Sequence, residues 1–286
     1  MNRECPEKSC KTLSRSVKIG SYYRKSDSKR VQKYKCINCG RYFSSASFSV
    51  NYYQKRRRLN PLIYKLLVSG NSQRRIARLL GCNLKTVARK FIFLSEQMRA
   101  KHMDYVLKHR NIQSIQFDEM ETWEHSKLKP LSIFVLVEKD SRKILSIKVS
   151  QMPAKGLIRD RSLKKYGKRQ DHRKWDMEEE FSFLQGILSP SASFESDESP
   201  RYPSLVKKYF PDSFHKRYKG RRGCVTGQGE LKAGGFDPLF SINHSCAMLR
   251  ANVNRLVRRT WCTTKIKENL QRHIDLYMYY HNTQLI

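Results

Sequence analysis

Two aspartates carry the residue types and spacing that could do chemistry. In Ile112-Gln-Ser-Ile-Gln-Phe-Asp118, Ile115 and Phe117 alternate with Ser114, Gln116 and Asp118. A period of two predicts a strand with Asp118 at its C-terminal end. Ser191-Ala-Ser-Phe-Glu-Ser-Asp197 is a second run that closes on an acid. Carboxylates at two strand ends can hold two hard divalent cations about 3.5–4 Å apart, which activate an attacking hydroxyl and stabilise a leaving oxygen. That is the requirement of phosphodiester cleavage and transfer. A third ligand is expected from a later helix, where Asn243 and His244 are the candidates. The competing reading of Asp118 and Asp197 is a pair of surface turn acids.

The elements that must position these acids follow from periodicity. Strands are predicted over 131–137 and 143–149, joined by the turn Asp140-Ser-Arg-Lys143. A helix begins near Asp176 and Glu178–Glu180 and runs through Phe181, Leu184 and Leu188. After the Asp197 strand come a short helix over 203–209 and a strand over 213–218. A long basic helix follows Asp237, with Cys246, Leu249, Val253 and Leu256 as its apolar stripe. Asn243, Ala247, Arg250 and Asn254 share the neighbouring face. Ile266, Leu270, Ile274 and Tyr277 define a last helix. Strands first, then helix, strand, helix is an α/β arrangement of ribonuclease-H type, expected over 110–286. Two basic stretches interrupt it. Residues 155–174 hold nine Lys/Arg against two Asp, a DNA-gripping or merely solvated loop. Lys219–Gly229 is Gly-rich without phosphate-loop spacing, which predicts a DNA-facing loop.

Upstream, Cys5-x4-Cys10 and Cys36-x2-Cys39-Gly40 have the layout of a zinc ribbon with four cysteine ligands over 1–50. Four unrelated buried cysteines are the alternative. Residues 1–60 carry sixteen Lys/Arg against three acids, which suits DNA phosphates. Residues 58–99 read as an all-α segment: helices over 61–68, 73–80 and 84–93, the last two joined across Gly81-Cys-Asn. This is a helix-turn-helix pattern, with Lys85, Thr86, Arg89 and Lys90 expected to face the major groove. A three-helix bundle with basic surfaces is the alternative. Met98–His109 is expected to be a helical connector.

Composition agrees with a polyanionic partner. The 286 residues include 58 Lys and Arg against 25 Asp and Glu, a formal charge of +33. Fifteen Tyr and thirteen Phe argue against a basic disordered chain. The N-terminal residues lack an apolar leader and no apolar run is long enough to span a bilayer, so a cytoplasmic, nucleoid-associated protein with reduced cysteines and no membrane partner is expected.

Taken in order, the chain resembles bacterial insertion-sequence transposases of the IS-one type. The resemblance rests on the Cys-x4-Cys with Cys-x2-Cys finger, the helix-turn-helix, Phe117-Asp118-Glu119-Met120, Ser196-Asp197, Asn243 with Arg250 seven residues later, and the basic stretch Leu249–Arg259. It covers nearly all of the chain except the segment near 155–175. It implies a ribonuclease-H-like catalytic domain, and strand cleavage and transfer dependent on Mg2+ (or Mn2+). Asp118, Asp197 and a third residue would be the ligands. The third residue is usually Glu in that group and here is Asn243, whose amide oxygen can ligate Mg2+ but brings no charge. Asn243 as the N-cap of its helix is the competing reading. Arg250 would hold phosphate near the metals. The implied partners are double-stranded DNA, as terminal inverted repeats and target, and a second copy in a homodimer or higher assembly. A non-catalytic DNA-binding protein and a metal-dependent nuclease without transfer are the alternatives.

Overall fold

The structure is a computed structural model that describes residues 4–7, 9–10, 15–219, 237–257 and 263–286. The chain divides into two compact units, Met1–Leu62 and Ile63–Ile286.

The first unit is a three-stranded antiparallel sheet of β1 (Ser16–Arg24), β2 (Lys29–Cys36) and β3 (Tyr42–Ser44), in that order. Tyr34 faces Phe43 across β2 and β3, and their rings stack at 5.4 Å. Cross-strand aromatic pairs of this kind fix register. Among the described residues the buried cluster is Tyr34, Cys36 and Phe43, with Cys5 and Cys10 against it. A unit with so thin a core needs a staple, and the cysteines are placed to supply one.

The second unit begins with helices α1 (Asn60–Val68), α2 (Gln73–Leu79) and α3 (Leu84–Lys108). Its sheet comprises β4 (Ile112–Trp123), β5 (Pro130–Glu138), β6 (Ile144–Gln151), β7 (Leu188–Asp197) and β8 (Phe214–Tyr218), in the order β6-β5-β4-β7-β8. The ladders β4–β5 and β5–β6 are antiparallel; β4–β7 and β7–β8 are parallel. The unit is therefore mixed α/β, with helices on both faces of the sheet. Ile115 and Phe117 join a core with α5 (Arg173–Leu184) and α6 (Tyr202–Tyr209). Met120, Ile133 and Val135 join the other, with α7 (Phe240–Asn252) and α8 (Lys267–Tyr280). Burial on both faces explains why β5 reads as a nearly continuous apolar run.

Five expectations shift. The helix expected to run through Leu188 ends at Leu184, and Leu188 opens β7. Asp118 does not end its strand: antiparallel pairing with β5 carries β4 on to Trp123, and it is the parallel partner β7 that stops at Asp197. The third helix and its expected connector are one helix, α3, since no Gly or Pro interrupts residues 84–108. The helix after Asp237 ends at Asn252, and Asn254–Leu256 form a separate 3-10 turn. The basic stretch after Lys155 contains a helix, α4 (Arg159–Tyr166), anchored by the Ser162 hydroxyl donating to Leu128 O at 2.6 Å. Residues 220–229 of the Gly-rich stretch, and Arg258 and Arg259, lie outside the described residues.

Phe117 is the hub of the core beneath the site: it is fully buried and meets the rings of Phe134, Phe181, Phe194, Tyr202 and His215. Phe117→Ala should cost about 3–5 kcal/mol in urea unfolding and Phe117→Leu roughly 1.5 kcal/mol or less. Equal, small losses for both would contradict this packing.

Candidate functional site

The parallel ladder between β4 and β7 pairs Ser114 with Ser193, Ile115 with Phe194 and Gln116 with Glu195. Two residues further in the same register, Asp118 stands beside Asp197 on the same face. The charge of Asp197 acts on Asp118, as expected for residues on adjacent strands about 4.8 Å apart. The Asp118 carboxyl is pushed up to about 7, first by burial and then by the charges of Asp197 and Glu119. The Glu119 N–H donating to Asp118 Oδ1 at 2.6 Å and the Arg250 guanidinium oppose that shift. A buried carboxyl beside a second acid is a candidate seat for a cation.

Helix α7 covers this face. Arg250 and Cys246 both lie within electrostatic reach of Asp118. Asn243 is two turns before Arg250 on the same helix face and is exposed. It is not an N-cap, because the helix cap is Leu239 and Asn243 lies in the first turns beyond it. Its amide instead donates from Nδ2 to Asp237 Oδ2 at 2.8 Å. Asp237 also receives the Leu239 N–H on Oδ1 at 3.0 Å, so the acid, rather than the amide, holds the helix start. His244 is acted on by the charge of Arg142, and its ring lies against Phe240.

Two supporting residues escaped the sequence reading. The Gln116 amide donates to Glu195 Oε2 at 2.8 Å and to Pro238 O at 2.7 Å, and accepts the Ile242 N–H at 3.1 Å. Glu195 also takes Lys139 Nζ at 2.7 Å. Together they fasten the start of α7 to the sheet below the acids. The signal was present: Gln116 precedes Asp118, and Glu195 precedes Asp197, by the same two residues. On the other face, Glu119 accepts from the Ser132 hydroxyl at 2.6 Å and pairs with Arg201. Buried Tyr202 senses Asp118, Glu119 and Asp197 after burial itself, which together hold its hydroxyl above the ordinary range.

In the first unit the sulfurs of Cys5, Cys10, Cys36 and Cys39 all lie within 4.8 Å of one another. Cys5–Cys39 and Cys10–Cys36 are 3.6 and 3.8 Å apart. A tetrahedral zinc with Zn–S bonds of about 2.3 Å requires sulfurs roughly 3.8 Å apart, so the cluster is compatible with a zinc site. The Cys36 thiol is drawn down to about 6, first by the Cys39 backbone N–H and also by that of Asn38. Burial and the neighbouring thiols push Cys5 and Cys10 up to about 11 and 12. Four sulfurs at these distances cannot all be thiolates without a cation among them.

Helices α2 and α3 are joined by Leu80–Asn83, with Gly81 at φ +54°. Ser72 Oγ accepts the Arg75 N–H at 3.3 Å and Asn83 Oδ1 accepts the Lys85 N–H at 2.8 Å, capping the two helices. Lys85 and Arg89 are exposed and Thr86 half-buried. Lys90 is only 3% exposed, so it cannot face DNA beside them. It falls on the buried stripe of Val87, Phe91 and Leu94, which helical spacing could have revealed.

Two outcomes are expected. Zinc content by emission spectroscopy should fall from about one equivalent toward zero in Cys36→Ser; unchanged zinc would contradict the cysteine cluster. The Asp118 carboxyl is raised above its unfolded value, so its favourable contribution is complete at low pH and is lost as pH rises through about 7. Without divalent metal, Asp118→Asn should therefore gain roughly 1–3 kcal/mol relative to the parent between pH 5.5 and pH 8.5, seen as a few degrees in melting temperature. A parallel response of the two proteins would refute the shift. No protein-family model matches this chain, and no curated protein matches it.

Proposed function

We propose that this protein is a DNA transposase that binds the ends of a mobile element and performs divalent-metal-dependent strand cleavage and transfer. The observation that carries the reading is Asp118 beside Asp197 on adjacent parallel strands, with Arg250 from α7 within electrostatic reach. The strand order β6-β5-β4-β7-β8, three strands antiparallel and two parallel, supports a ribonuclease-H-like catalytic unit. So do the helices on both faces. Among the described residues no helix is long and apolar enough to cross a membrane.

The donor chemistry fits Mg2+ or Mn2+. Asp118 and Asp197 would hold the ions, with the Asn243 amide oxygen as a neutral third donor. Bound there, the ions would supply Lewis-acid activation of the attacking hydroxyl and stabilisation of the leaving oxygen. Arg250 would hold a non-bridging phosphate oxygen and position the scissile bond over the acids. Gln116 and Glu195 keep α7, and with it Asn243 and Arg250, at a fixed height above the strands. The helix-turn-helix reading of α2 and α3 assigns Lys85, Thr86 and Arg89 to element ends. The four-cysteine unit, with Lys/Arg in large excess, would add phosphate contacts. Joining two element ends implies at least a homodimer on DNA. Nucleoid association would follow from the formal charge of +33.

The neutral Asn243 favours one second reading, a DNA-binding protein without catalysis. The test is joining of labelled end-containing DNA by the purified protein in Mg2+. Joined product lost at least 100-fold in Asp118→Ala, and product reduced in Asn243→Ala, is the expected result. DNA binding with neither cleavage nor joining would establish the second reading, and cleavage without joining would make the protein a nuclease.

A further inference from the structure

In the metal-site reading above Asn243 is the third donor, yet an amide has two ends. Its oxygen can ligate a cation and its nitrogen cannot. Asp237 decides between them. A carboxylate only accepts, so the 2.8 Å contact to Asp237 Oδ2 must be made by the Asn243 Nδ2. The amide oxygen is then the branch turned away from Asp237. Asn243 shares its helix face with Arg250, which lies within reach of Asp118. Asp237 is itself held, since its Oδ1 takes the Leu239 N–H at 3.0 Å. Pro238 O and the Ile242 N–H, on either side of this pair, are bound by the same Gln116 side chain. The Asp237–Asn243 pair is thus fixed to β4 two residues before Asp118 on the same face of the strand.

Resting on the metal-site reading above, we propose that Asp237 is a positioning residue for Mg2+ or Mn2+: it orients the Asn243 amide so that its oxygen serves as ligand, and it returns to the site the negative charge that Asn243 lacks. A divided ligand of this kind, an amide that touches the ion and a carboxylate behind it, does the work of one glutamate. Carboxylates behind metal ligands tune affinity by orienting the ligand and raising its basicity.

The test is Mn2+ binding by electron paramagnetic resonance, using zinc-replete full-length protein, so that the readout does not depend on turnover. Asp237→Asn is the informative variant. It keeps an oxygen for the Leu239 N–H, and so keeps the helix start, but it presents an NH2 to Asn243. The Asn243 amide must then turn its oxygen toward position 237. Mn2+ affinity should fall about tenfold while the melting temperature of the metal-free protein holds. In an Asn243→Glu background the same change should cost clearly less, because a glutamate needs no orienting partner and only the loss of the neighbouring charge remains. Unchanged affinity in Asp237→Asn, or an equal loss in both backgrounds, would overturn the proposal and leave Asp237 as a helix-start residue. Asp118→Ala separates this from failure of the metal reading. Binding that needs Asp118 but ignores Asp237 sinks only the positioning role. Absence of any Asp118-dependent binding sinks both.

Discussion

The parallel pairing of β4 with β7 is the constraint on which the rest of the second unit depends. Parallel strands cannot be joined by a tight turn, so the chain must leave the sheet after β6 and return. Helices α4 and α5 occupy that crossing, and the core between α5 and the sheet is what holds the crossing closed. Once Ile115 lies beside Phe194, the pleat alone brings Asp118 beside Asp197 and turns both to the α7 side. The acids are therefore adjacent because Phe117 and Phe194, on the same strands, are buried on the opposite face. The electrostatic cost of that adjacency is borne by packing, chiefly by Phe117 and the rings around it.

The same geometry explains how charge is distributed. The chain has a formal charge of +33, and yet four of its buried or half-buried acids, Asp118, Glu119, Glu195 and Asp197, lie on two adjacent strands. Glu195 is neutralised by Lys139, and Glu119 by Arg201. Asp118 has burial and two like charges against it, with Arg250 and one backbone N–H in its favour. Under the proposed function these acids would attract divalent cations, and the basic surface would attract the phosphates such cations act on. The four-cysteine cluster of the first unit is compatible with the same principle in thiols, where a zinc ion would supplement a thin core.

Much of this was legible in the sequence, and the rest was hidden for definable reasons. Alternating runs and the nearly continuous apolar run of β5 located all five strands of the large sheet, because burial on one face or both writes directly into residue type. Strand ends were harder. Asp118 looked terminal since Glu119 and Glu121 follow it, but Glu119 turns to a partner on the far face and the ladder with β5 continues beneath. Lys90 was misread because its charge outweighed its position on the stripe of Val87, Phe91 and Leu94. Asn243 as a cap was a local inference that Asp237, six residues earlier, displaces through a hydrogen bond no periodicity encodes. Gln116 and Glu195 were passed over as ordinary polar strand residues, although each stands two positions before an aspartate.

The central claim is that Asp118 and Asp197 together hold a divalent cation. Its most direct measurement is iron-directed backbone cleavage: Fe2+ loaded in place of Mg2+, with ascorbate and peroxide, and the cut sites mapped by mass spectrometry. The account predicts cuts clustered near residue 118 in β4, near residue 197 in β7 and at the start of α7, suppressed by excess Mg2+ and absent in Asp118→Ala. Cuts confined to the cysteine cluster, or a pattern indifferent to Asp118 and Mg2+, would contradict it.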